Sequence, residues 1–241
     1  HSHTGNMFDQ AIIPLLSPGL AHIHRVAIVA PFAVLLWACI RYITRRIASP
    51  GSPRHLDSAA LARLADQIDQ LDDGDGDSGG DGGPQRVLLS VDQSEASLRQ
   101  LIAAARPDYL QLHGTESVDF ASAMKAAFNL PIIKMIPIAT AADMANCAAW
   151  DSIADWLIFD AKTDPGTQPG GTGHSFDWQI LSHYSGHTPW MLAGGLTAGT
   201  VADAVRISGA RAVDVSSGVE SARGKKDENK IHTFIQAAQI G

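Results

Sequence analysis

Apolar and polar positions follow two rhythms in this chain, and the rhythms take turns. Short apolar runs at 87–91, 109–113, 132–138, 156–161, 190–193 and 212–215 predict strands. The stretches 94–105, 117–128, 141–149, 176–182, 198–208 and 227–238 place apolar residues mostly at helical spacing and predict helices. Strands that are apolar throughout, joined by segments long enough to cross back, predict a parallel sheet covered on both faces. That leaves an open doubly wound sheet or a closed barrel. A further amphipathic helix is predicted over 58–71. With it, the rhythm reaches seven or eight βα units if 23–47 supplies the opening strands. Eight units in a chain of 241 residues is the size of a (β/α)8 TIM barrel.

Two segments break the rhythm. The run 26–40, VAIVAPFAVLLWACI, carries no charge. As a helix it would span about 22 Å, short of a hydrocarbon layer of roughly 30 Å, and Pro31 would disturb it. It is followed by Ile-Arg-Tyr-Ile-Thr-Arg-Arg rather than small residues, which does not suit a signal peptide. A buried helix or strand pair is expected. A membrane anchor is the alternative, and Arg41, Arg45 and Arg46 after the run against Arg25 before it would then leave the remainder on the cytoplasmic side. The second segment, 71–84, reads LDDGDGDSGGDGGP and predicts a flexible acidic, glycine-rich loop. Asp73, Asp75 and Asp77 have the spacing of calcium-loop ligands, but Pro84 stands where the bidentate Glu is needed. The predicted organisation is an atypical N-terminal segment over 1–51 and a barrel domain over 52–241.

Composition narrows the function classes. The content of 45% hydrophobic and 18% charged residues excludes wholesale disorder. A net charge of −7 argues against a general nucleic-acid surface, so any bound phosphate belongs to a local site. The two cysteines, Cys39 and Cys147, have no spacing that suggests a disulfide scaffold or a zinc site.

In a barrel the site lies at the carboxyl ends of the strands, and the polar residues gather there. The segment before the 58–71 helix holds Ser52-Pro53-Arg54. Later runs end in Gln111-Leu112-His113-Gly114, Asp160-Ala161-Lys162, Gly194-Gly195 and Ser216-Ser217-Gly218. Glycines after the last two strands suit a phosphate, because missing side chains let backbone N–H groups reach an anion. A third cluster, Gly170-Gly171-Thr172-Gly173, lies in a long loop after Asp160 and could close over a ligand.

From Ser52 to Gly241 the chain resembles the phosphoribosylanthranilate isomerase family, which performs an Amadori rearrangement in tryptophan biosynthesis. The matching pieces are SPRHLD (52–57), DYLQLHGTES (108–117), IFDAK (158–162), GGTG with FDW (170–173 and 176–178), WMLAGGL (190–196), VDVSSGVES (213–221) and KDENKIHTFI (226–235). The resemblance implies a cytoplasmic enzyme of small-molecule substrate, with no metal or organic cofactor and no nucleic-acid or membrane partner. It implies that Asp160 is the general acid that protonates the ribose ring oxygen, and that Arg54 holds the anthranilate carboxylate. His113 and Asp214 would line the pocket floor. The phosphate would rest on Gly194, Gly195, Ser216, Ser217 and Gly218, with Gly171, Thr172 and Gly173 closing from the side.

The family opens with a Lys-Ile-Cys-Gly strand end whose Cys is the general base, and this sequence has no such motif. Cys39 is only fifteen residues before Arg54, too close for a strand–helix–strand unit of about 30 residues, and is expected to be a small buried apolar residue. By spacing, His24 is the candidate replacement. The expectation is therefore isomerase chemistry impaired on its base side. The alternative is a non-catalytic sugar-phosphate-binding barrel of the same descent.

Overall fold

The computed structural model describes residues 25–29, 38–41, 58–72, 85–161, 177–222 and 225–240. Eight strands form one sheet: β1 (Arg25–Val29), β2 (Ala38–Arg41), β3 (Val87–Ser90), β4 (Tyr109–Leu112), β5 (Ile132–Ile138), β6 (Trp156–Ala161), β7 (Trp190–Leu192) and β8 (Ala212–Val215). From β3 to β8 they neighbour one another in sequence order and run parallel, which is the wall of a (β/α) barrel. Five α-helices are described: α1 (Ser58–Asp72), α2 (Glu95–Ala105), α3 (Val118–Phe128), α4 (Val201–Ser208) and α5 (Glu228–Ala238). A small hairpin of β9 (Glu220–Ala222) and β10 (Lys225–Lys226) follows β8 and was not predicted.

Alternation along each strand divides the core in two. Leu88, Leu110, Leu112, Leu157, Phe159, Leu192, Val213 and Val215 join Leu98, Met124, Val201 and Phe234 of the helices. Their neighbours Val87, Ile133, Ile158, Met191, Ala193 and Ala212 form a separate inner cluster. Both faces of the parallel wall are buried, which is why its strands read as unbroken apolar runs.

Helix starts follow the capping chemistry. Ser94 accepts from Ser97 N, Ser117 from Phe120 N and Asp227 from Lys230 N, satisfying first-turn N–H groups of α2, α3 and α5. The helices predicted over 141–149 and 176–182 are instead 3₁₀ helices, Ala141–Trp150 and Trp178–His183. In the first, the buried residues Cys147 and Trp150 stand three apart, a spacing that three residues per turn brings to one side. The helix predicted from 198 begins only at Val201, because Thr200 Oγ1 accepts from Thr197 N and closes a turn first.

The opening strands differ from two βα units. β1 and β2 form an antiparallel hairpin, and β1 also pairs antiparallel with β8. Only residues 30–37 separate them, whereas a parallel crossover needs a dozen or more residues. Among the described residues no helix is long and apolar enough to cross a membrane.

Candidate active site

The parity of the strands decides which polar residues look inward. Asp214 alternates with Val213 and Val215 of the helix-side core, so it shares the inner face with Ala212 and is buried there. Asp160 follows Phe159 of the helix side and, two residues after Ile158, shares the face of the inner cluster. Gln111 sits between Leu110 and Leu112 and is wholly buried on the inner face.

His113 leaves β4 with its N–H donated to the Ser90 carbonyl of β3 at 2.8 Å. Its Nδ1 is 2.8 Å from Gln111 Nε2, and its Nε2 is 3.9 Å from Asp160 Oδ2. The His113 and Asp160 side chains are 19% and 17% exposed, open enough to meet a ligand yet largely withdrawn from water. Among the described residues, the buried Gln111 Oε1 has no hydrogen-bond partner.

Glycines bring the neighbouring loops against this pair. Gly194 has φ +93°, and a Cβ there would stand 2.6 Å from Ala161 N and 3.1 Å from Asp160 Oδ1. A side chain would collide with the end of β6, so only glycine lets the β7 exit loop pass beside the carboxylate. At Gly218 a Cβ would stand 1.9 Å from the Leu196 carbonyl oxygen. The turn after β8 therefore packs directly on the loop after β7, and the two glycine-bearing turns form one surface beside Asp160.

Two buried ion pairs fix the loops on either side. Glu116 accepts from Asp92 N at 2.9 Å and Gly114 N at 3.0 Å. Lys134 of β5 donates to Glu116 Oε2 and to the Gly114 carbonyl, each at 2.7 Å, and its ammonium stands over the Trp150 ring. The loops after β3 and β4 are thereby tied to β5, next to His113. Opposite, Lys226 donates to Glu220 Oε1 at 2.9 Å and to the Ser216 carbonyl at 2.7 Å. Sequence reasoning missed all four of these residues, although Glu116, Glu220 and Lys226 lie inside motifs it had singled out.

The structure brings His113, Asp160, Asp214, Gly194, Gly195, Ser216, Ser217 and Gly218 to the carboxyl ends of β4, β6, β7 and β8. Arg54, Gly171, Thr172, Gly173 and His24 lie outside the described residues. Cys39 falls in β2, in the row that joins it through Ala27 to Asp214. Cys147 lies on the far side of the sheet from Asp160, in the helix-side core. Burial pushes its thiol up to about 11, aided by the Asp151 charge, so it is a packed, protonated group. No group of three His, Cys, Asp or Glu residues suited to a metal occurs among the described residues.

A carboxyl facing an imidazole, beside two glycine-bearing turns, can donate a proton to a ligand whose anionic group rests on those turns. The family model for N-(5'-phosphoribosyl)anthranilate (PRA) isomerase matches residues 80–237. The chain is 44% identical over 191 residues to N-(5'-phosphoribosyl)anthranilate isomerase of Rhodospirillum rubrum, covering 79% of this chain and 84% of that protein. It is 45% identical over 194 residues to the enzyme of the same name from Rhodopseudomonas palustris strain BisB18, covering 80% and 84%. The crystal structure of phosphoribosyl anthranilate isomerase from Thermotoga maritima superposes with a TM-score of 0.64 at 26% identity, covering 79% of this chain and 84% of that one.

Proposed function

Because this chain belongs to the N-(5'-phosphoribosyl)anthranilate isomerase family, we propose that it converts phosphoribosylanthranilate to carboxyphenylamino-deoxyribulose phosphate by an Amadori rearrangement. Asp160 gives its proton to the ribose ring oxygen, the C1′–O bond breaks, and the anilino nitrogen lone pair forms an iminium. A base then takes the C2′ proton, and the electron pair returns to the nitrogen as an enolamine, which tautomerises to the ketone. The observation that carries this reading is the placement of Asp160, half-buried, 3.9 Å from His113 and beside Gly194.

The remaining roles belong to the same reading. Arg54 pairs with the anthranilate carboxylate through its planar fork. His113 and Asp214 line the floor, and Gly194, Gly195, Ser216, Ser217 and Gly218 receive the phosphate, with Gly171, Thr172 and Gly173 closing over it. No cofactor takes part, the barrel domain is 52–241, and the enzyme acts in the cytoplasm. The family's Cys base has no counterpart in this sequence, and His24 is the candidate for a weaker replacement. Val26 pairs with Val215, so β1 begins at the end of the sheet that carries Asp160, and His24 is the residue before it.

The antiparallel β1–β2 hairpin favours a second reading, a barrel that binds the sugar phosphate without turning it over, because the family's Lys-Ile-Cys-Gly opening is missing. Calorimetry with the reduced, non-rearranging product analogue, run beside a turnover assay with phosphoribosylanthranilate, separates the outcomes. Binding with turnover supports the enzyme, binding without turnover supports the second reading, and no binding by a folded sample at millimolar ligand refutes both.

A further inference from the structure

The turn after β8 is held from two sides. On one side the glycine at 218 abuts the Leu196 carbonyl of the β7 exit loop. On the other stands the β9–β10 hairpin, where Glu220 and Lys226 are direct cross-strand partners. Their side chains are 11% and 5% exposed, so the pair is desolvated, and the Lys226 ammonium reaches past Glu220 to the Ser216 carbonyl at 2.7 Å. The hairpin is anchored in turn by Asp227 N donating to the Val219 carbonyl and by Lys230 Nζ donating to the Glu220 carbonyl.

A trans peptide unit holds its C=O and N–H in one plane, pointing in opposite directions. When Lys226 draws the Ser216 oxygen toward the hairpin, the N–H of Ser217 must point away from it. The backbone donor assigned to the phosphate is thus aimed by an ammonium that stands behind the turn.

We propose that Lys226 and Glu220 are positioning residues for anion binding: the pair orients the Ser216–Ser217 peptide so that the turn presents its N–H groups to the substrate phosphate. Glu220 keeps the ammonium in place and cancels its charge, so the contribution is one of orientation and not of net field. This inference rests on the phosphate reading of Ser216, Ser217 and Gly218.

The test titrates inorganic phosphate into the isotope-labelled full chain and follows the amide resonances of Gly195, Ser217 and Gly218. Lys226→Met alone strands the Glu220 carboxylate, so the double variant Glu220→Gln/Lys226→Met, which leaves the net charge unchanged, carries the comparison. The expected result is a saturable response in the parent and an affinity weaker by at least about tenfold in the folded double variant, the order of a lost charge-assisted hydrogen bond. Parental phosphate affinity in the double variant would overturn the positioning role while leaving the phosphate site standing. No response of these amides in the parent would overturn the phosphate reading and the inference together.

Discussion

His113 Nε2 stands 3.9 Å from Asp160 Oδ2, across the end of β5 that separates their strands. Gln111 Nε2 lies 2.8 Å from the other ring nitrogen, so the ring that faces Asp160 is braced from behind by a buried side chain. Asp160→Asn keeps the shape and removes the transferable proton. Turnover should fall at least about a hundredfold, the usual worth of a positioned acid, with folding unchanged. Steady-state kinetics of the variant check this.

Gly194→Ala tests the close passage of the β7 loop. With φ at +93° and Ala161 N at 2.6 Å from the new methyl, the loop must shift. Urea unfolding should show a loss of about 1 to 3 kcal/mol, the range for a strained backbone position. Because the methyl would also stand 3.1 Å from Asp160 Oδ1, activity should fall more than stability alone explains.

Lys134→Met leaves Glu116 charged and buried without its ammonium, in a pair whose side chains are only 5% and 3% exposed. Breaking such a pair costs about 3 to 5 kcal/mol, and replacing both members costs less. Lys134→Met should therefore unfold at markedly lower urea than the parent, and Lys134→Met/Glu116→Gln should recover part of the difference.

Alkaline pH should destabilise the fold in two overlapping windows. Desolvation pushes the Cys147 thiol from 9.0 up to about 11, and desolvation with the hydrogen bond to Asp151 pushes the Tyr184 hydroxyl from 10.0 up to about 12. In both cases the native state keeps a proton that the unfolded chain has lost. Each contribution is complete below the unfolded value and is lost as pH rises through the native one. Melting temperature should fall from pH 9 upward, and Cys147→Ala should flatten the lower part of that fall. Asp151 acts in the opposite direction: the Thr188 hydroxyl and then the Tyr184 hydroxyl lower its carboxyl, so its contribution fades as acid protonates it.

Much of this was legible because the signals were local. Ser94, Ser117 and Asp227 announce their helices, and the apolar runs of β3 to β8 read as buried parallel strands since both faces meet core. His113, Asp160 and Asp214 were readable as strand-end polar residues. The ion pairs were not, since Lys134 finds Glu116 eighteen residues away and only the fold brings them together. The 3₁₀ helices escaped because their apolar residues also fit a helical pattern. The run 26–40 left a helix and a strand pair both open, because periodicity in one uncharged run does not separate them, and β1 and β2 form the strand pair.

A positioned general base is worth about 10² to 10⁴ in rate. The missing Lys-Ile-Cys-Gly opening therefore predicts turnover well below that of a chimera whose residues 1–51 carry it. Complementation of a tryptophan-requiring strain lacking the isomerase should give growth from the chimera and little from the parent. Equal growth would assign a working base to the present N-terminal segment, and His24→Ala would then locate it.

The most direct measurement is product formation from N-(5'-phosphoribosyl)anthranilate by the purified chain, run beside Asp160→Asn. The account predicts a rate above the uncatalysed background that the variant loses. A folded parent that turns over no faster than background, or a variant as fast as its parent, would contradict the assignment of Asp160 as the acid of an isomerase.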